Sequence, residues 1–192
     1  MTLQLCLIAH GATLATQNAA FPNDDALLDG ADKALEPPAV LRRWINSQVR
    51  TSPMLAARQT AAMFGLDATD DHSIADMNYG RWSGHTIASI AAAEPSAVAE
   101  WMHDPSFIGH GGESRAALSL RVSDWLQSLS HGHGRFIAVT HVSIIRTVIL
   151  DVLQSPVSSG AFWSLDVAPA TMTELSHDGR RWTIRKFGVK LL

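Results

Sequence analysis

His10 follows the apolar run Leu3-Gln4-Leu5-Cys6-Leu7-Ile8-Ala9 directly, and His141 follows Arg135-Phe136-Ile137-Ala138-Val139-Thr140 in the same way. An apolar run of that length that stops at a polar residue reads as a buried parallel strand emptying into a loop. The C-terminal ends of such strands are where α/β sheets carry their ligands. Asp76 stands before a glycine-punctuated loop, Gly80-Arg81-Trp82-Ser83-Gly84. Imidazoles and a carboxylate gathered at one sheet edge have the means for nucleophilic and acid–base chemistry. Two histidines with one carboxylate are also a set that a divalent transition-metal ion accepts.

The elements that must position these residues alternate between strand-like and helix-like, the pattern of a sheet with helices on both faces. The first strand covers Leu3–Ala9, and an Asn-, Asp- and Pro-rich loop follows through Phe21-Pro22-Asn23-Asp24-Asp25. Residues 38–46 are compatible with a helix and 47–51 with a short strand. Ser52-Pro53 has the form of a helix start, hydroxyl at the N-cap and proline at the first helical position, so a helix is expected over 52–64 with Gly65 as its stop. A strand end is expected near Ile74 and Ala75, and helices over Ile87–Ala93 and Pro95–His103. Gly111-Gly112-Glu113-Ser114 opens a helix whose apolar residues Leu118, Val122, Trp125 and Leu129 recur at three- and four-residue spacing. Residues 135–140 form the second histidine's strand and 142–153 the helix after it. Two or three strands, over 162–167, 171–176 and 182–187, close the chain, with Asp178-Gly179 as a hairpin turn.

The chain has 192 residues, enough for one covered α/β domain and too few for two ordinary ones. No linker, repeat or low-complexity tract interrupts it, so a single domain over 1–192 is expected. Hydrophobic residues make up 46% and charged residues 17%, the balance of a chain that forms a core. A net charge of −3 without a basic stripe argues against a nucleic-acid or anionic-membrane surface. The lone cysteine, Cys6, can form no internal disulfide. With no signal-peptide pattern and no run of spanning length, this predicts a cytoplasmic protein.

Five segments in order resemble the histidine phosphatase superfamily, the group that includes phosphoglycerate mutases and many small phosphomonoesterases. Leu7-Ile8-Ala9-His10-Gly11-Ala12-Thr13 stands where the family has Arg-His-Gly-Glu-Thr. Ser52-Pro53-Met54-Leu55-Ala56-Ala57-Arg58-Gln59-Thr60-Ala61 is similar to Ser-Pro-Leu-x-Arg-Ala-x-Gln-Thr-Ala. Asp76 with Gly80, Trp82 and Gly84 resembles Glu-x-x-x-Gly-x-Trp-Glu-Gly. Gly112-Glu113-Ser114 with Arg121, and Val139-Thr140-His141, complete the set. The resemblance implies a phosphoglycerate mutase-like three-layer α/β/α sandwich around a mixed, mostly parallel sheet. It also implies a phosphomonoesterase in which His10 accepts the phosphoryl group, Asp76 protonates the leaving oxygen and His141 stabilises the transferring group. A small phosphate ester or anion is the implied partner, and no metal or organic cofactor is needed.

The departures fall on the phosphate's partners. The family's two clamping arginines align with Ala9 and Ala56, its glutamate after His-Gly with Ala12, its acid with the shorter Asp76 and its glycine after the second histidine with Val142. Losing one preorganised donor to a developing anion costs about 100- to 1,000-fold in rate. Arg50 at the end of the second strand, Arg81 in the Gly-Trp loop, and His85 and His110 on nearby loops are the candidates to replace the lost charge. Thr13 and Val142, flanking the histidine loops, join them as substrate-binding candidates. Arg58, Arg115 and Arg121 read as helix-surface or packing groups, and His131-Gly132-His133-Gly134 as a solvated turn. Three functions stay open: a phosphatase with a remodelled pocket, a non-catalytic binding relative, and a metal site of His10, His141 and Asp76. Loops 17–30 and 103–111 are where substrate specificity is expected.

Overall fold

The computed structural model describes residues 2–28, 38–158 and 160–192, so the last two positions of the expected 17–30 loop lie outside the described residues. Strands β1 (Leu3–Ala9), β2 (Gln48–Thr51), β3 (Thr69–Asp70), β4 (Gly134–Thr140), β5 (Thr171–His177) and β6 (Trp182–Lys190) form one sheet in the order β3-β2-β4-β1-β5-β6. β1, β2 and β3 each join a parallel pairing with β4 or β2, whereas β5 runs antiparallel to both β1 and β6. The sheet is therefore mixed and mostly parallel.

Alternation along β1 divides the core. Leu5, Leu7 and Ala9 face one cluster and Cys6 and Ile8 the other, as a two-residue side-chain period requires. The first cluster is covered by α3 (Ile87–Ala93), α4 (Pro95–His103), α5 (Arg115–Ser130) and α6 (Val142–Val152). The second is covered by α2 (Leu55–Met63) and a 3₁₀ turn over Ala39–Trp44. Helices thus lie on both faces, giving the expected α/β/α layering. Leu5, Cys6, Leu7 and Ile8 are all completely buried, and full burial of a large aliphatic side chain is worth about 1.5–3 kcal/mol. The strand that carries His10 is therefore among the best anchored in the fold. No helix among the described residues is long and apolar enough to cross a membrane.

Three local expectations differ from what forms. Residues 38–46 hold a 3₁₀ helix, not an α-helix: Pro38 precedes it, Asn46 turns left-handed (φ 69°) after it, and the three-residue period points Leu41 and Trp44 inward together. Residues 162–167 form no strand, but a single turn, α7 (Ala161–Ser164). Adjacent Phe162 and Trp163 both pack on Arg115, which neighbours on a strand, facing opposite ways, cannot do. Around Ile74 the chain makes a 3₁₀ turn, His72–Ile74, after the short β3. The hairpin at Asp178-Gly179 forms as expected, with Asp178 accepting from the Arg180 and Arg181 amides.

Candidate active site

The ends of β1, β2 and β4 are tied side by side. The His10 amide donates to Thr140 O (2.9 Å) and the Ser52 amide to Val139 O (2.9 Å). Past His10 the chain is held by α2. Gly11 N donates to Thr60 Oγ1 (2.9 Å), and that hydroxyl donates to Ala56 O (2.7 Å). Gln59 Oε1 accepts from Leu27 N (2.8 Å). The Gln-Thr pair of the 52–61 segment is thus a pair of anchors for two loops. A Cβ at residue 11 would lie 3.1 Å from the Leu27 side chain, a tight contact to which Leu27 would have to yield by a few tenths of an ångström.

His10 Nδ1 lies 2.7 Å from Gly11 O. A carbonyl can only accept, so Nδ1 carries the proton and the Nε2 lone pair is free. His141 stands with its ring 5.0 Å from that of His10, centroid to centroid. Its Nε2 meets Ser52 Oγ at 2.7 Å, and its Nδ1 lies 3.6 Å from Asp76 Oδ2 without a hydrogen-bond partner. The favourable arrangement has Ser52 donating to Nε2 and the Nδ1–H facing the carboxylate. Ser52 was expected as a helix cap; α2 instead begins at Leu55, and Ser52 Oγ accepts from Met54 N as it meets the histidine. Burial lowers the His141 pKa to about 4, against the upward pull of Asp76, so this histidine is neutral near pH 7. Asp76 Oδ1 accepts from Met77 N (2.8 Å) and from the Ser143 hydroxyl. That leaves Oδ2, on the His141 side, as the oxygen able to carry a proton.

These residues match a known pattern along almost the whole chain: the family described as histidine phosphatase superfamily (branch 1) fits residues 5–190. The chain belongs to the histidine phosphatase superfamily. Among curated relatives, Bifunctional protein Rv2228c of Mycobacterium tuberculosis is 28% identical over 146 residues, 72% of this chain and 40% of that protein. The chain therefore spans well under half the length of that relative. Among solved structures, Bacillus stearothermophilus YhfR superposes with a TM-score of 0.84 at 20% identity, covering 97% of both chains. The mycobacterial glucosyl-3-phosphoglycerate phosphatase Rv2419c in complex with VO3 gives 0.80 at 23% identity, covering 97% of this chain and 99% of its own.

In this member of the superfamily a small pocket at the two histidines is lined by His10, Thr13, Asp24, Ala56 and His141, among others. Ala9 and Ala56, at the positions of the family's arginines, are both buried. What the pocket contains instead is acidic. Asp24, in a left-handed conformation (φ 52°) that aspartate tolerates better than most residues, accepts from Leu55 N (2.6 Å) at the start of α2. A helix N-terminus is a ready anion site, and here a side chain of the protein fills it. Nothing in the sequence pattern marked Asp24 beyond its place in an Asp-rich loop.

The expected substitute cations are distributed otherwise. Arg81 is committed to Glu94 and Gly109 O, so its fork is spent on bridging loops. His110 is completely buried, its Nδ1 accepting from Gly112 N (2.9 Å) and its ring packed on Trp82 and Phe107. Burial, and secondarily Arg81, lowers its pKa, which makes it a neutral core histidine. His85 is exposed and contributes its backbone, accepting from Phe21 N. Arg50 is half-buried on β2, opposite Ala138 and Thr69. Neither lines the cavities at His10. Thr13 lines the small pocket while capping α1 (Leu14–Gln17) in a reciprocal pair with Thr16. Val142 lines a second chamber next to His10. The alternative metal set is not assembled: among the described residues no group of three or more His, Cys, Asp or Glu could hold a metal ion. Arg121, read as a packing group, makes a two-pronged pair with Glu113 (3.0 and 2.8 Å) and donates to the Ser73 and Ala75 carbonyls, bracing the turn before Asp76. Sequence reasoning passed over Arg146, although it lies four residues after Val142 and so on the same helix face.

Proposed function

We propose that the chain is a phosphomonoesterase that works through a phosphohistidine at His10 on a small phosphate ester. The observation that carries this reading is the His10 Nδ1–H bond to Gly11 O, which reserves Nε2 for attack. In the first step the Nε2 lone pair forms the N–P bond as the P–O bond to the leaving group breaks, and a proton on Asp76 Oδ2 passes to the departing oxygen. Water then attacks phosphorus, Asp76 takes its proton, and the N–P bond breaks to release phosphate and free His10. His141, neutral, accepts from Ser52 at Nε2 and turns its one N–H toward Asp76, so it orients the acid and brings no charge to the phosphate. With no arginine at positions 9 and 56 the reaction is slow relative to a clamped site.

A second reading has its own support. Asp24 at the N-terminus of α2 presents a carboxylate where a phosphate would seek the amides, which favours a binding protein that excludes phosphate. One experiment separates the two. Wild type and His10→Ala are assayed in parallel on 4-nitrophenyl phosphate and a panel of natural monoesters, with acid-labile phosphohistidine trapped during turnover. Labelled His10 and a loss of at least about 1,000-fold in His10→Ala are the expected results. Equal rates in the two proteins, or no label in a protein that turns over, overturn the enzyme reading. No turnover at all, together with no vanadate binding by calorimetry, favours the second.

A further inference from the structure

Next to the small pocket lies a chamber of about 190 Å³ that shares His10 with it and is also lined by Asp76, Val142 and Ser143. Its walls are aromatic and mutually braced. Trp101 and Trp163 meet edge-on at 4.7 Å between centroids, Phe162 and Trp163 at 4.9 Å, and Phe21 and Tyr79 at 5.1 Å. Two cations line the same space, Arg115 and Arg146.

Neither cation forms a close ion pair among the described residues; Asp104 acts on Arg115 and Asp166 on Arg146 only from beyond contact distance. Arg115 is 2% exposed and stacks over Phe162 and Trp163 (5.6 and 5.1 Å). Its Nη atoms donate to the carbonyls of Trp101, Met102 and Val157, while its Nε is buried with no acceptor. Arg146 is half-buried over Phe162 and its Nε donates to Leu165 O (2.7 Å), and among the described residues its Nη groups have no hydrogen-bond acceptor. A buried N–H without a partner is costly. Among the described lining residues the one carboxylate is Asp76, whose Oδ1 is taken by Met77 N and Ser143 and which pairs with neither guanidinium. Two cations beside aromatic walls therefore call for an anion supplied from outside. The volume is below the roughly 300–1,000 Å³ of drug-sized sites, so the occupant is one ring with one acidic group. A planar fork matches a carboxylate best.

We infer that this chamber is the substrate's recognition subsite. It takes a flat aromatic ring bearing a carboxylate, with the acid held by the Arg146 Nη groups, Arg115 adding its positive charge from within the wall, and the ring seated against Phe21, Trp101 and Trp163. This inference rests on the phosphomonoesterase reading for the ring's role as the leaving group, but not for its binding. The subsite supplies at the leaving-group end the positive charge that positions 9 and 56 no longer bring to the phosphate.

Binding is measured without any phosphoryl transfer, by tryptophan fluorescence with phenylacetate and its uncharged analogue phenylacetamide as probes. Wild type binds the acid about tenfold or more tighter than the amide. Arg146→Met removes that preference and Arg146→Lys keeps part of it. Equal affinity for acid and amide, no binding of either at millimolar concentration, or an Arg146→Met variant that behaves as wild type each overturn the subsite. Turnover is read separately. 4-(Carboxymethyl)phenyl phosphate has a lower KM than phenyl phosphate, and the difference vanishes in Arg146→Met. A protein that binds phenylacetate through Arg146 and hydrolyses neither ester refutes the phosphatase reading and leaves the subsite standing.

Discussion

The two ends of α2 make opposite contributions to one site. Its later turn carries Gln59 and Thr60, whose side chains hold the loops after His10 and before Leu28 by backbone hydrogen bonds. Its first turn presents Ala56 and an amide answered by Asp24. The same division runs through the whole site. Groups that fix geometry are in place: Thr60, the Arg121–Glu113 pair, and the Asn78-to-Gly80 turn pressed on Gly112. Groups that would meet a phosphate with positive charge are absent at positions 9 and 56. Positioning depends on buried hydrogen bonds and close packing, so its loss unfolds the loops. Cationic charge at a pocket wall contributes to binding alone, and can leave without disturbing the fold.

If that division is right, the largest effects on stability come from the positioning half. At Gly112 a Cβ would lie 2.0 Å from Asn78 O and 2.7 Å from Gly80 N, all backbone and unable to yield. Gly112→Ala is expected to cost about 4 kcal/mol in urea denaturation. Its neighbour Gly111 has open space and a φ of 78°, so Gly111→Ala costs only left-handed strain, about 1–2 kcal/mol. Equal losses at the two positions would show that packing between the 78–80 and 110–112 loops is not what matters.

His141 gives the next effect, and its sign follows from burial. The folded pKa is about 4 against an ordinary 6.5, so between those values the unfolded chain binds the extra proton. Stability is therefore full above about pH 6.5, falls as pH drops toward 4, and falls no further from this group below that. The span is about 3 kcal/mol. Denaturation from pH 7.5 to 4 on wild type and His141→Gln checks it: the variant's profile should be flatter by that amount. A parallel profile would mean that His141 is not the buried neutral group. Smaller again is Thr60→Val, which leaves the Gly11 amide without its acceptor and costs about 1–3 kcal/mol. Its effect should reach His10 as a fall in kcat with KM little changed.

The strand and histidine grammar was readable because it is local: apolar runs ending at His10 and His141 determine both the sheet and the edge it presents. The Ser-Pro segment was legible as a motif but not in its role, since Ser52 serves His141, 89 positions away. Arg81 and His110 were plausible by loop position, but where their side chains point depends on Glu94 and on the Trp82–Phe107 packing. Asp24 and the Arg115–Arg146 pair are the reverse case. Arg146 shows only its four-residue spacing from Val142 and nothing periodic marks the other two, so their meaning comes from what they lack, or displace, in three dimensions.

The smallest effect belongs to the binding half and tests the comparison from its other side. Asp24→Asn removes a negative charge from the pocket at His10 but keeps a side-chain oxygen to accept from Leu55 N. Phosphate and vanadate should then bind about tenfold tighter, with stability within about 1 kcal/mol of wild type because the cap is kept. Ala56→Arg alone should gain little, its guanidinium neutralised by Asp24 across the same pocket. The double variant should exceed the sum of the singles, a coupling that a double-mutant cycle reads directly. Additive behaviour would mean that Asp24 does not face the anion position, and that the emptied clamp, not an opposing carboxylate, is the whole of what separates this pocket from a phosphate site.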